Sequence, residues 1–242
     1  VGPVLGGFFA TRDYKYLFWA DGVTNILAAI IVLIFLHSKY VKKAKISKAE
    51  AKLNRAESPW RDSTFMIFMV FTTIYVMSFS PLFVVLPVYY KEICNMSEFQ
   101  IGLLMGLNGL LVALVEMLII YKVDGKYSKL QLITFGCFLL VVNYIIYLYF
   151  TAYTWMLIGI TFATFSEIFA MPFMNTYSIE RAKSHNQGQY SAVYAMSWPV
   201  AQIGSSLLGT QVIAGLGYTA LLLLLGGLAV VATAGFYALE KR

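Results

Sequence analysis

Long apolar runs separated by short polar clusters set the pattern of this chain. No formal charge stands between Asp62 and Lys91, or between Lys129 and Glu167. Between Lys183 and Glu240 the only titratable base is His185. A bilayer-spanning helix needs about 20 consecutive apolar residues, so these gaps have room for one, two and two crossings. Breaks fall at Phe150-Thr151-Ala152-Tyr153 and at Ala214-Gly215-Leu216-Gly217, the latter a turn signal. The pattern predicts helices near 16–36, 64–90, 98–121, 130–150, 153–178, 189–213 and 217–238, seven complete spans. Residues 1–10 are apolar but too short to cross, and no basic leader precedes them. They are read as the tail of an eighth helix, so the chain is expected to be a fragment cut inside a transmembrane segment.

Composition agrees with that pattern. Of 242 residues, 60% are hydrophobic and 12% charged, with a mean hydropathy of +0.72. A soluble domain carries about 25% charged residues. Half that leaves too little polar surface to cover a globule in water, and so much apolar material excludes a disordered chain. The net charge of +6 resolves into topology: one set of alternate loops (37–63, 122–129, 179–188 and the C-terminal tail) holds 15 Lys and Arg, the other only Arg12, Lys15 and Lys91. By the positive-inside rule the first set and the C-terminus are cytoplasmic. This placement argues against nucleic-acid binding, which needs a basic face on a soluble surface. Cys94 and Cys137 form no CxxC or zinc pattern, and no disulfide is expected. His37 and His185 fall at span ends, where solvation is their ordinary state, so no metal and no cofactor is expected.

The stretch 37–63 is the one long polar segment, read as a charged cytoplasmic linker. Six spans follow it, as at the midpoint of a two-bundle transporter. Pro81, Pro87, Pro172 and Pro199 lie inside spans, which membrane helices tolerate when neighbours re-satisfy the freed carbonyls. Ala201, Ser205 and Gly209 line one helix face, and Gly102 and Gly106 begin a similar row; such stripes let helices approach closely. Many aromatics stand at span ends (Tyr14, Tyr16, Tyr89, Tyr90, Tyr147, Tyr149, Tyr153, Trp155), where an interfacial belt is expected.

Gly2-Pro3-Val4-Leu5-Gly6-Gly7 resembles the GPxxGG end of the antiporter motif of the major facilitator superfamily. The linker falls one helix later, where that family has its central loop, and six spans follow. Asp124-Gly125-Lys126 with Lys129 resembles the family's cytoplasmic loop motif, with Ile120 where Gly is usual and Gly125 where Arg is usual. Ser166-Glu167 followed by Met171-Pro172 resembles a glutamate–proline pattern of the tenth helix in the drug-efflux branch. Gly188-Gln189-Tyr190, Ser197-Trp198 and Ile203-Gly204 resemble its eleventh helix. The resemblance implies an all-α polytopic bundle of the major facilitator fold. Residues 1–36 would end the N-terminal bundle, 37–63 would be the linker, and 64–242 the C-terminal six-helix bundle.

Ionisable residues inside spans cost at least ~2.5 kcal/mol, so they are functional candidates by default. Glu167 lies near the middle of its span, Glu116 near the cytoplasmic end of 98–121, and Asp21 near the external end of 16–36. Burial disfavours the charged form of a carboxyl, the property proton coupling requires, and each of the three also has a structural reading as a buried hydrogen-bond partner. Met171, Met174, Asn175, Tyr194, Trp198 and Asn108 are the candidates to line a cavity, with stacking and cation–π contact for a lipophilic cation.

The reading is therefore a secondary transporter, not an enzyme: a proton-coupled exporter of amphipathic small molecules, monomeric, multi-pass in the cell membrane, of the bacterial inner-membrane kind. The alternative is an importer of the same fold for sugars, peptides or other metabolites. The thin polar lining of the spans, with no internal Lys or Arg, favours lipophilic cargo. A receptor is disfavoured because the basic loop follows only one complete span. An intramembrane enzyme is disfavoured because no span holds a His.

Overall fold

The computed structural model describes residues 15–35, 58–183 and 185–241, and every regular element in them is helical. In hydrocarbon each backbone N–H and C=O must be satisfied within the protein, and a helix does this within one segment. The elements are α1 (Lys15–Phe35), a 3-10 turn (Pro59–Arg61), α2 (Ser63–Phe79), α3 (Pro81–Val84), α4 (Leu86–Glu92), α5 (Glu98–Val123), α6 (Lys129–Tyr149), α7 (Tyr153–Arg181) and α8 (Gln187–Glu240). The helix tail expected over 1–10, with Gly2, Pro3, Gly6 and Gly7, and positions 37–57 of the basic stretch lie outside the described residues.

Local chemistry fixes where these helices start. Asp62 caps α2 by accepting from the Phe65 N–H at 3.1 Å. Ser97 with Gln100 and Ser128 with Gln131 form reciprocal capping boxes at α5 and α6. The span expected as one helix over 64–90 is instead divided into α2, α3 and α4. Pro81 and Pro87 stand in the first turns of α3 and α4, where their missing N–H removes no intrahelical bond. An apolar run shows how much chain can cross the membrane, but the prolines decide how it is subdivided.

Among the described residues, five helical stretches are long and apolar enough to cross a membrane, making this a multi-pass membrane protein. The last, α8, has 54 residues, about 81 Å if straight, far more than a hydrocarbon core of ~30 Å requires. It doubles back at Gly217, whose φ of 81° and ψ of 179° are open to glycine and strained for other residues. Two contacts prove the hairpin. Ser80 shares a hydrogen bond with Ser205 at 3.0 Å, and Ser78 donates to the Leu225 carbonyl at 2.8 Å. Residues on either side of Gly217 thus meet the same stretch of α2–α3. The two arms correspond to the predicted spans 189–213 and 217–238.

The bundle has two distinct ends. At the basic end, Arg181 pairs with Asp62 and Lys129 with Glu180, joining the start of α2, the start of α6 and the end of α7. At the opposite end, Tyr89 donates to the Tyr147 carbonyl at 3.2 Å, Tyr90 to the Tyr147 hydroxyl at 3.0 Å, and Tyr218 to Glu92 at 2.8 Å. Tyr89, Tyr90 and Tyr147 are buried, not set in the interfacial belt expected of them, whereas Tyr149 is exposed. Their hydroxyls find partners inside the protein, which a buried tyrosine needs.

Close backbone approach holds α6 to α7. A Cβ on Gly136 would meet the Ala170 nitrogen at 2.8 Å and the Ser166 carbonyl oxygen at 2.9 Å. The Ala201, Ser205 and Gly209 stripe is buried, with Gly209 facing Val85 and Leu221. These contacts fix α7, which carries Glu167.

Candidate functional site

Glu167 sits half-buried on α7, and Asn108 of α5 is buried opposite it. The Asn108 side-chain nitrogen donates to Glu167 Oε2 at 2.9 Å and to Thr164 Oγ1 at 3.1 Å. Thr164 passes its own proton to the Ile160 carbonyl at 2.8 Å, which leaves its oxygen free to accept. Both N–H groups of the amide are therefore directed at α7. One residue before Glu167, Ser166 Oγ lies 3.0 Å from the Tyr75 hydroxyl of α2. A short length of α7 is thus tied to α5 on one side and to α2 on the other by uncharged groups.

None of the three ion pairs among the described residues includes Glu167; all three lie at helix ends. Among the described residues, Glu167 is hydrogen-bonded by an amide, feels the charge of Glu116, and is paired with no cation.

The other candidates are dispersed. Glu116 is half-buried on α5, eight residues beyond Asn108, about 12 Å along the helix. Asp21 is exposed on α1, its carboxylate accepting from Asn25 at 3.1 Å within the same helix. Met171, Tyr194 and Trp198 are half-buried, Met174 is buried and Asn175 exposed. In the loop 124–129, Asp124 caps α5 and accepts from the Gly125 N–H at 3.1 Å, Lys126 is exposed, and Lys129 pairs with Glu180 at 2.6 Å.

The family model of the Major Facilitator Superfamily matches residues 1–205. The chain belongs to that superfamily. A solved POT family transporter in complex with 5-aminolevulinic acid is 19% identical, with a TM-score of 0.62 over 92% of this chain and 53% of that one. The likeness is one of fold, and this superfamily member spans about half the length of that solved relative. No curated protein matches the chain.

One cluster in this facilitator chain escaped the sequence reading. Asp62 receives Arg181 Nε and Nη2 at 2.5 and 2.8 Å and the Tyr190 hydroxyl at 3.1 Å. Burial pushes the Asp62 carboxyl up, but the hydrogen bond and charge of Arg181, the Phe65 N–H and Tyr190 outweigh it, and its pKa lies below the ordinary carboxylate value. The available signal was an Asp standing immediately before an apolar run, the mark of a helix cap. Nothing in the local sequence pointed from there to Arg181.

Proposed function

We propose that the chain forms part of a secondary active transporter in which a proton gradient drives the export of amphipathic small molecules by alternating access. In this reading 64–242 is one six-helix bundle, 1–36 the end of its partner and 37–63 the linker between them. The basic end faces the cytoplasm of a bacterial cell, and the protein works as a monomer in the bilayer. Gly2, Pro3, Gly6 and Gly7 serve as the antiporter motif; Asp124, Lys126 and Lys129 serve as the loop motif.

The observation that carries the proposal is the pairing of Glu167 with Asn108, a carboxyl inside the bundle whose partner is neutral. With Oε2 taken by the amide, the proton resides on Oε1. Water or a cationic cargo entering beside α7 draws that proton off, because ionisation is then solvated or compensated. The ionised carboxylate attracts a cation, and reprotonation from the other side releases it. Met171, Tyr194 and Trp198 supply the soft apolar and aromatic wall; Asn175, Glu116 and Asp21 are secondary candidates for polar contact and proton passage.

The test is Glu167→Gln in the complete protein, assayed in everted vesicles with a lipophilic cation and an imposed pH gradient. Glutamine keeps the shape and the bond to Asn108 but cannot titrate. Loss of gradient-driven movement with normal expression supports the reading. Unchanged transport across the pH range overturns the role of Glu167, and movement of cargo only with the inward gradient as symport favours an importer.

A further inference from the structure

Asn143 lies on α6, one turn before Tyr147, and is 0% exposed, yet neither its Nδ2 nor its Oδ1 has a hydrogen-bond partner among the described residues. Neither atom presents surface that a water molecule can touch. The amide is therefore both dry and unpaired. Thr72 and Ser178 also hold buried hydroxyls without a partner. Those are readily met, because a hydroxyl on a helix can turn to a carbonyl of the preceding turn, as Thr161 does to Leu157 at 2.7 Å. Asparagine can fold back in the same way, and Asn25 on α1 does so, donating to the Asp21 carbonyl at 2.9 Å. Asn143 instead reaches toward α7. Its Oδ1 lies 3.1 Å from the place a Cβ on Gly159 would take, and the Tyr147 ring fills the rest of that notch.

An unpaired buried amide destabilises the arrangement that contains it, and its neighbours show which change relieves it. Tyr144 donates to the Ser78 carbonyl, and Tyr90 to the Tyr147 hydroxyl. The longest bond of this group runs from the Tyr147 hydroxyl to the Met156 carbonyl, at 3.4 Å, beyond the ordinary range for two oxygens. Met156 belongs to the first turn of α7, three residues before Gly159. At this level, then, α7 is only loosely held to α6. Each of its carbonyls has a second lone pair, and glycine at 159 leaves the backbone there uncovered. A short slide of one packed helix along the other, the ordinary shear motion, brings such a carbonyl to the Asn143 Nδ2.

We infer that Asn143 is a two-position switch between α6 and α7, unpaired in the arrangement of this structure and donating to a backbone carbonyl of α7 in a second arrangement reached by shear. The amide favours the second arrangement, and the bond of Tyr147 to Met156 favours the first. That is the differential contact a two-state equilibrium requires. The consequence reaches the candidate site, because α7 carries Glu167 and is tied there to α5 and α2. The inference rests on the reading of the chain as part of an alternating-access transporter.

The test is NMR of the complete protein in nanodiscs with its methionine methyls carbon-labelled. Met156 is fully buried beside the switch, and Met156→Leu assigns its signal. We expect two Met156 resonances in the parent. Asn143→Leu removes the amide and keeps its bulk. It should shift the ratio of the two toward the arrangement of this structure by roughly 5- to 150-fold, the range for one unmade buried hydrogen bond. Asn143→Ala, which removes the amide by a different side chain, should shift the ratio the same way. Tyr147→Phe deletes the bond that holds the first arrangement, so it should shift the ratio in the opposite direction. A single Met156 resonance in the parent overturns the switch. So does a ratio unchanged by the two Asn143 variants, or one that they and Tyr147→Phe move in the same direction. The measurement uses neither cargo nor gradient. Normal transport by Glu167→Gln would remove the proton chemistry proposed above and leave the Met156 ratio as it is.

Discussion

Arg181 grips Asp62 through two nitrogens at 2.5 and 2.8 Å, closing a distance of 119 positions in the sequence. The same carboxylate caps α2 and receives Tyr190, so one side chain secures α2, the end of α7 and the start of α8. An exposed ion pair contributes little. This one is bidentate, partly buried and backed by a helix cap worth about 1 kcal/mol.

Asp62→Asn should lower the thermal midpoint in detergent by a few degrees, and Arg181→Lys, which cannot make the two parallel bonds, by a smaller amount. The effect has a pH signature. The folded pKa of Asp62 lies below its unfolded value, which is about 3.9. Its stabilisation is therefore fully present above that value and lost as pH falls through the folded pKa. Melting curves should show the gap between parent and Asp62→Asn at pH 5 and above, closing below about pH 4. A gap independent of pH would assign the loss to the cap alone.

The crossings were legible because a run of apolar residues is a one-dimensional signal. The helices from α5 to α7 begin and end within a few residues of the spans read from charge gaps, and Gly217 was visible as a turn. What the runs hid was phase. Nothing in an apolar stretch said that Pro81 and Pro87 would divide it into three helices. Nor did position show whether Tyr90 would face lipid headgroups or, as found, the interior beside Tyr147. Pairings across sequence were hidden for the same reason. Glu167 and Asn108 each stood out as polar residues in apolar surroundings, but their meeting depends on how α5 and α7 are rotated, which no local pattern specifies.

Gly136 makes a sharper packing claim. A methyl there would press on the Ala170 nitrogen and Ser166 oxygen, backbone atoms of α7 that cannot swing aside as a side chain can. Gly136→Ala should therefore destabilise by about 1–3 kcal/mol, the usual cost of overpacking, and displace the segment of α7 that bears Glu167. Gly227→Ala is the control, since its Cβ would meet nothing within 4 Å. Thermal unfolding of the two variants should diverge, with Gly227→Ala neutral or slightly stabilised. Equal behaviour would mean that α6 and α7 separate freely.

Asn108 decides whether the Glu167 site acts as a unit. Its two N–H groups reach Thr164 and Glu167 at 3.1 and 2.9 Å, so Asn108→Leu leaves two polar atoms of α7 without a donor while preserving bulk. Leaving a buried partner unmade costs about 1–3 kcal/mol, which corresponds to a fall of about 5- to 150-fold in gradient-driven transport if that cost is borne in the transport cycle. A structural residue gives the same loss of rate, so the discriminating measurement is a double-mutant cycle. If Asn108 acts through Glu167, then Asn108→Leu in the Glu167→Gln background should cost little more than Glu167→Gln alone, because the titration it served is already gone. The coupling should amount to about 0.5–3 kcal/mol. Additive losses, with melting temperatures falling in parallel, would make Asn108 a packing residue of α5 and separate it from the proton chemistry.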